Sequence, residues 1–258
     1  MLTAAEVLRP DWNVSPPVGA LMTTRAGGSS RAPWDSLNLG TAAGDDPAAV
    51  AANRAAFCEA LGGAVPVFLR QVHGIRVIHL AELHAAPHAP LEDADASVAT
   101  VPGLACAVQV ADCLPVLFAA PRGRGVGAAH AGWRGLAGGV LEATVQALCE
   151  AASCSPGAVQ AWLGPSIGPR RFEVGDEVRA AFQAPGRPAA AAAFTPAGSP
   201  GKWLADLPAL ARDRLSRAGV AHVSGGGWCT HEDASRFFSF RRDGVTGRMA
   251  AAVWIEGV

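Results

Sequence analysis

His73, Cys113 and His130 are the side chains whose chemistry and setting stand out in this sequence. They occur in Gln-Val-His-Gly, Ala-Asp-Cys-Leu-Pro and Ala-His-Ala-Gly-Trp-Arg-Gly, each between an apolar, strand-like stretch and a Gly or Pro turn. Strand ends are where a rigid scaffold delivers side chains to a cleft. Two imidazoles and one thiolate form a three-ligand set that leaves a fourth tetrahedral position open, as in a catalytic zinc site. Zinc there would keep Cys113 deprotonated and lower the pKa of a bound water toward neutrality. The spacing matches no compact zinc pattern, so two further readings of the same residues stand beside this one. In the first, Cys113 is a covalent nucleophile on a sharp turn with one histidine as its base. In the second, it is a buried thiol beside two hydrogen-bonded core histidines.

The elements that must position these residues are legible from periodicity and turn signals. Asp46-Pro47 followed by Ala48–Leu61 predicts a helix with an acidic N-cap and Pro at its first position, stopped by Gly62-Gly63. Short strands are expected over Val67–Leu69 and Arg76–Leu80 on either side of His73, then over Leu104–Val110 and Pro115–Ala120 on either side of Cys113. A strand over Gly125–Ala129 runs through His130 into a helix expected from Leu136 to Glu150. Val159–Leu163 reads as a strand, Asp176–Phe182 as a short helix, and Ala184–Pro200 as an Ala, Pro and Gly-rich loop. Asp206-Leu207-Pro208 opens another helix, and Phe237–Ile255 reads as strand, turn at Asp243-Gly244, strand. Cys58 and Cys149 fall in expected helices and Cys106 in a strand, which suits packing better than chemistry. The expected fold is α/β (α+β), a single domain with mixed β-sheets flanked by helices.

The 258 residues are half hydrophobic and 17% charged, which excludes disorder as the main state. A net charge of −1 with no basic block argues against a nucleic-acid or membrane-surface partner. The first 17 residues resemble neither a secretory signal nor a transit peptide, and the apolar stretch Ala96–Ala120 is interrupted by Pro102, Asp112 and Pro115. The expectation is a soluble cytoplasmic protein whose six cysteines are reduced thiols.

A series of motifs in order resembles the YfiH-like family, named variously after laccase domain-containing proteins, polyphenol oxidases and the peptidoglycan editing factor. The motifs begin with Thr23-Thr24-Arg25-Ala26-Gly27-Gly28-Ser29-Ser30, Ser36-Leu37-Asn38-Leu39-Gly40 and Gly44-Asp45-Asp46. They continue with Gln71-Val72-His73-Gly74, Ala94-Asp95-Ala96, Ala111-Asp112-Cys113-Leu114-Pro115 and His130-Ala131-Gly132-Trp133-Arg134-Gly135. Leu163–Pro169, Cys229-Thr230 and Phe237–Gly244 complete the series. The departures are small: Phe240 stands where the family often has Tyr. The resemblance implies a lead-in over residues 1–20, a catalytic domain over 21–258, and His73, Cys113 and His130 as metal ligands. It implies zinc-dependent chemistry on purine nucleosides: phosphorolysis of adenosine, inosine, guanosine and methylthioadenosine, and deamination of adenosine. Removal of wrongly built peptidoglycan precursors and copper-dependent polyphenol oxidation are also linked to the family.

A conventional multicopper oxidase needs many imidazoles, typically as His-x-His pairs, and none of the seven histidines forms such a pair. The three Met, at 1, 22 and 249, are not beside a proposed ligand, although a His₂Cys set suits copper as well as zinc. Deamination needs a carboxyl group to shuttle protons, for which Asp112 and Glu173 are the candidates. Equally, Asp112 suits a group that orients a ligand histidine, and Glu173 a helix N-terminal carboxylate. Phosphorolysis needs a phosphate site, for which Arg25 with the Gly27–Ser30 turn and Arg241 or Arg242 are candidates. Asn38 and Gln71 are candidates for a ribose or base edge, or for capping turns. Trp133 and Phe240 offer aromatic faces to a purine. A cysteine hydrolase or amidase acting on a cell-wall precursor through Cys113 is the competing class. His79, His84 and His88 are expected to face solvent.

Overall fold

The computed structural model describes residues 2–14, 17–81, 92–183 and 188–257. A five-stranded sheet runs in the order β1 (Val7–Leu8), β2 (Val18–Thr23), β14 (Met249–Ile255), β6 (Leu104–Val110) and β3 (Val65–Val67). A six-stranded sheet runs β13 (His222–Gly225), β9 (Gln160–Leu163), β7 (Leu114–Ala119), β8 (Val126–Ala131), β5 (Ala96–Ala99) and β4 (Val77–His79). Both mix parallel and antiparallel pairs, as β3 with β6 and β4 with β5 are parallel while β14 with β6 and β7 with β8 are antiparallel. A small third sheet joins β10 (Glu173–Gly175), β12 (Lys202–Ala205) and β11 (Phe194–Pro196).

The two large sheets pack face to face, and period-two alternation divides their side chains between layers. On β6, Cys106, Val108 and Val110 point between the sheets with Met249, Ala251 and Val253 of β14, against Leu117, Val126, Ala128 and Trp162. The alternate residues Ala105, Ala107, Ala250 and Ala252 face α1 (Pro47–Ala60), which contributes Phe57. Small Ala side chains on that face let the helix lie close to the sheet. The far side of the six-stranded sheet buries Val116, Phe118 and Ala129 against α2 (Trp133–Gly138), α3 (Val140–Ala152), α4 (Asp176–Phe182) and α6 (Leu207–Arg217). The architecture is the expected mixed α/β domain, in layers of helix, sheet, sheet and helices. No helix among the described residues is long and apolar enough to cross a membrane.

Several local expectations hold closely. Asp46 caps α1 by accepting from Ala48 N–H, and Asp206 caps α6 by accepting from Ala209 N–H at 2.9 Å. Others are corrected. The helix expected over Leu136–Glu150 is broken at Gly139, whose φ of 106° ends α2 and starts α3. The expected loop over Ala184–Pro200 contains α5 (Pro188–Ala192) and β11, because β12 supplies an antiparallel partner that sequence periodicity does not reveal. The strand expected at Phe237 is absent; Phe237 and Phe238 are buried without strand pairing and lead into α7 (Phe240–Asp243), capped by Ser239. The strand before His73 ends at Val67, not Leu69.

Candidate metal centre

Three connections bring the chemistry together. His73 lies in the loop between β3 and β4, Cys113 in the crossing from β6 of one sheet to β7 of the other, and His130 near the end of β8 opposite Pro115. Cys113 Sγ is 3.8 Å from His73 Nε2, and the two imidazoles stand edge to face with centroids 4.8 Å apart. One donor atom from each of the three residues lies within 4.8 Å of the others. Ligand atoms of a tetrahedral zinc are about 3.5 Å apart, so this donor set fits zinc with little movement. Among the described residues it is also the one group of three or more His, Cys, Asp or Glu side chains that converges in this way. Gly132 closes the space behind it: a Cβ there would lie 2.6 Å from His73 Cδ2 and 3.2 Å from Cys113 Sγ.

Asp95, just ahead of β5, braces the cluster. Its Oδ1 accepts from His130 Nδ1 at 2.7 Å and from His73 N–H at 2.9 Å, while Oδ2 accepts from the N–H groups of Gly74 at 2.7 Å and Val72 at 3.1 Å. One fully buried carboxylate thus fixes both the tautomer of His130, leaving Nε2 for a metal, and the backbone of the His73 loop. Burial pushes the Asp95 carboxyl up, but His130 and the backbone donors outweigh it and hold it below the usual carboxylate range. His73 itself sits at φ 61° and Asp112 at φ 93°, left-handed values that cost non-glycine residues of order 1–3 kcal/mol each and that concentrate at functional sites.

Burial pushes the Cys113 thiol up, yet the imidazoles of His130 and His73 bring it down to about 6. Burial lowers His130, but the Cys113 thiolate and Asp95 raise it to about 9. Between those values the metal-free centre is a thiolate–imidazolium pair. A ligand histidine must be neutral, so zinc binding near pH 7.5 should expel about one proton from His130 Nε2. Calorimetry in buffers of different ionisation heat measures this; binding without proton release would contradict the assignment. By the same sign, the affinity for a metal ion is expected to rise with pH up to about 9.

Two cavities meet at the cluster and share His73, Cys113 and Phe240. One, of about 160 Å³, is mainly apolar, with Trp133, Ile167 and Phe172 beside Asp112 and Arg241. The other, of about 550 Å³, carries Arg54, Arg70, Arg248, Gln71 and Gln109.

The structure brings only some of the sequence candidates to these cavities. Asp112 is there, but Oδ1 accepts from Thr230 Oγ1 and Oδ2 from Arg241 N–H, both at 2.6 Å. Arg241 lines the smaller cavity and donates to the Glu173 carbonyl at 2.7 Å. Gln71 lines the larger one with its amide clamped to the backbone of Gln109. Glu173 is exposed and lines neither. Arg25 is held by Asp35 and the Ala234 carbonyl. The neighbouring turn is spent on Ser36 and Asn53, and buried Asn38 is spent on Gly40, Asp45 and Arg248. Arg242 pins the carbonyls of Thr230, His231 and Phe237. His79 is exposed on β4; His84 and His88 lie outside the described residues. Sequence reasoning gave no role to Asp95, Arg54 or Arg248. Asp95 closes the acidic run Glu92-Asp93-Ala94-Asp95, and nothing in that run marks it as the buried member.

The family model described as multi-copper polyphenol oxidoreductase laccase matches residues 19–256. A purine nucleoside phosphorylase of Pseudomonas aeruginosa is 51% identical over 96% of this chain and 98% of its own. The purine nucleoside phosphorylase YfiH of Escherichia coli is 48% identical over 97% of this chain and 99% of its own. The chain belongs to the YfiH-like family. The solved structure of a Neisseria meningitidis protein superposes with a TM-score of 0.90 at 46% identity, covering 98% of this chain and 100% of that one. The family name drawn from laccases and the relatives' name drawn from phosphorolysis point to different chemistry, so the site has to decide between them.

Proposed function

We propose that this protein is a zinc-dependent purine nucleoside phosphorylase, acting on adenosine, inosine, guanosine and methylthioadenosine, with adenosine deamination as a second activity of the same centre. The observation that carries the reading is the His73–Cys113–His130 cluster standing between an aromatic cavity and an arginine-lined one. A cavity of about 160 Å³ is smaller than the usual 300–1,000 Å³ of a whole small-ligand site. It suits the base alone, with the rest of the nucleoside crossing the cluster into the larger cavity. Zinc supplies a Lewis acid at that crossing. Trp133, Phe172 and Phe240 offer flat apolar faces to the base, and Arg241 and Asp112 form its polar edge. In the reaction the C1′–N9 bond breaks with its electron pair leaving on the purine. A hydrogen phosphate oxygen bonds to C1′, and the phosphate proton passes to the base, giving ribose 1-phosphate.

Copper oxidase chemistry has less support, because a multinuclear centre needs further convergent imidazoles and the described residues offer one His₂Cys group. The six free thiols suit a reducing, cytoplasmic setting, and residues 21–258 are read as the catalytic unit. The test is base release from inosine and adenosine by zinc-loaded protein in phosphate buffer, followed by chromatography for hypoxanthine, adenine and ribose 1-phosphate. Zinc-dependent appearance of all three is expected. No turnover by zinc-loaded protein would overturn the reading. So would activity on a cell-wall precursor that survives chelation and leaves a covalent adduct on Cys113, the signature of a cysteine hydrolase.

A further inference from the structure

We infer that the larger cavity is an oxyanion site in which Arg54 and Arg248 bind the free phosphate co-substrate. Several arginines near this end of the molecule are committed to a carboxylate: Arg25 to Asp35, Arg70 to Asp93, Arg242 to Asp243. Arg54 and Arg248 are different. Arg54 lies over the Phe68 ring at 4.3 Å and donates through Nε to the Leu39 carbonyl at 3.0 Å. Arg248 donates through Nη1 to the carbonyls of Thr246 and Gly247 at 3.0 and 3.1 Å. Neither has a carboxylate within ion-pair distance among the described residues, yet both are half-buried in the wall of one cavity. Burial disfavours the charged form of each, offset only in part by Cys113 and Asp112 near Arg248 and by Cys58 near Arg54.

Two such cations facing one space, neither in contact with a carboxylate among the described residues, suit an anionic ligand. The guanidinium atoms not used on the backbone present forks of N–H donors, the geometry that matches phosphate oxygens bidentately. The aromatic ring beneath Arg54 and the carbonyls beneath Arg248 hold the two groups in place before any ligand arrives, which lowers the ordering cost of binding. The cavity opens onto His73, Cys113 and His130, so an anion seated there stands beside the centre proposed to hold the nucleoside. Of the sequence candidates for phosphate, Arg25 is committed to Asp35, and Arg241 lines the smaller cavity rather than this one.

This assignment rests on the phosphorylase reading only for the identity of the anion, and one experiment separates the two. Inorganic phosphate is titrated into the zinc-loaded protein and its Arg54→Gln, Arg248→Gln and Arg248→Lys variants, and the KM values for phosphate and inosine are measured in parallel. A charge-assisted pair contributes of order 1.5–3 kcal/mol, so phosphate binding and phosphate KM should each worsen by roughly 10- to 100-fold in every variant. The KM for inosine should stay nearly constant. Arg248→Lys keeps a donor for the two loop carbonyls while losing the fork, so its zinc content and melting temperature should match the parent protein. Arg170→Gln, altered at a residue paired with Glu232 and lining neither cavity, should leave phosphate binding near the parent value. Inosine cleavage with an unchanged phosphate KM in all three variants would overturn the site and leave the phosphorylase reading standing. Arginine-dependent phosphate binding without nucleoside cleavage would uphold the site and sink that reading. Tighter, arginine-dependent binding of adenosine 5′-monophosphate than of phosphate would show that the anion arrives on the substrate, and would overturn its assignment as free phosphate.

Discussion

Cys113→Ala should purify as a folded protein with no bound zinc and with nucleoside cleavage lowered by roughly 10³-fold or more. The thiolate is one of three donors, and the only anionic one, so its loss leaves two neutral imidazoles to hold a divalent ion. A metal acting as a Lewis acid contributes several kcal/mol to a transition state, and each 1.36 kcal/mol is a factor of ten in rate. The fold should survive because Cys113 is half-buried in a connection between strands, while the Asp95–His130 pair that ties the loops together remains. Elemental analysis beside a Cys149→Ala control measures the first effect, and the inosine assay the second. Retention of about one zinc per chain by Cys113→Ala would remove the metal centre from the account.

Asp95→Asn should be the most damaging substitution away from the ligands themselves. The carboxylate is fully buried and accepts four hydrogen bonds. An amide replaces one acceptor atom with a donor, so either two backbone N–H groups or His130 Nδ1 and His73 N–H would face another N–H. Breaking a buried charged network of this kind costs about 3–5 kcal/mol. Groups that orient a ligand histidine typically change metal affinity by about 10- to 100-fold. The expected result is a markedly lower melting temperature together with weaker zinc binding in chelator competition. A variant that melts lower but keeps parental zinc affinity would reduce Asp95 to a purely structural group.

The way Asp95 works also shows where sequence reading stops. Ala94-Asp95-Ala96 can be recognised as a motif, but nothing in it says that one oxygen pair will meet both histidine segments, which lie elsewhere in the chain. Arg54 sits in a helix and Arg248 before the last strand. Only when β14 pairs with β6, and α1 packs across that sheet, do they share a cavity wall. Conversely, Arg25 and Asn38 have types suited to binding, and the fold uses them to hold loops.

By itself the sequence determined what depends on neighbours along the chain. It placed the strands flanking Cys113 and His130, the capped helices after Asp46 and Asp206 and the mixed α/β class, and it singled out His73, Cys113 and His130 by type while leaving their metal, nucleophile and core readings open. Those follow from side-chain type, two- and three-to-four-residue periodicity, and turn chemistry, all local properties. The tertiary structure alone decided which polar groups are free and which are already satisfied. That depends on partners supplied by distant segments, and a buried carboxylate or guanidinium is defined chemically by whatever the fold sets against it.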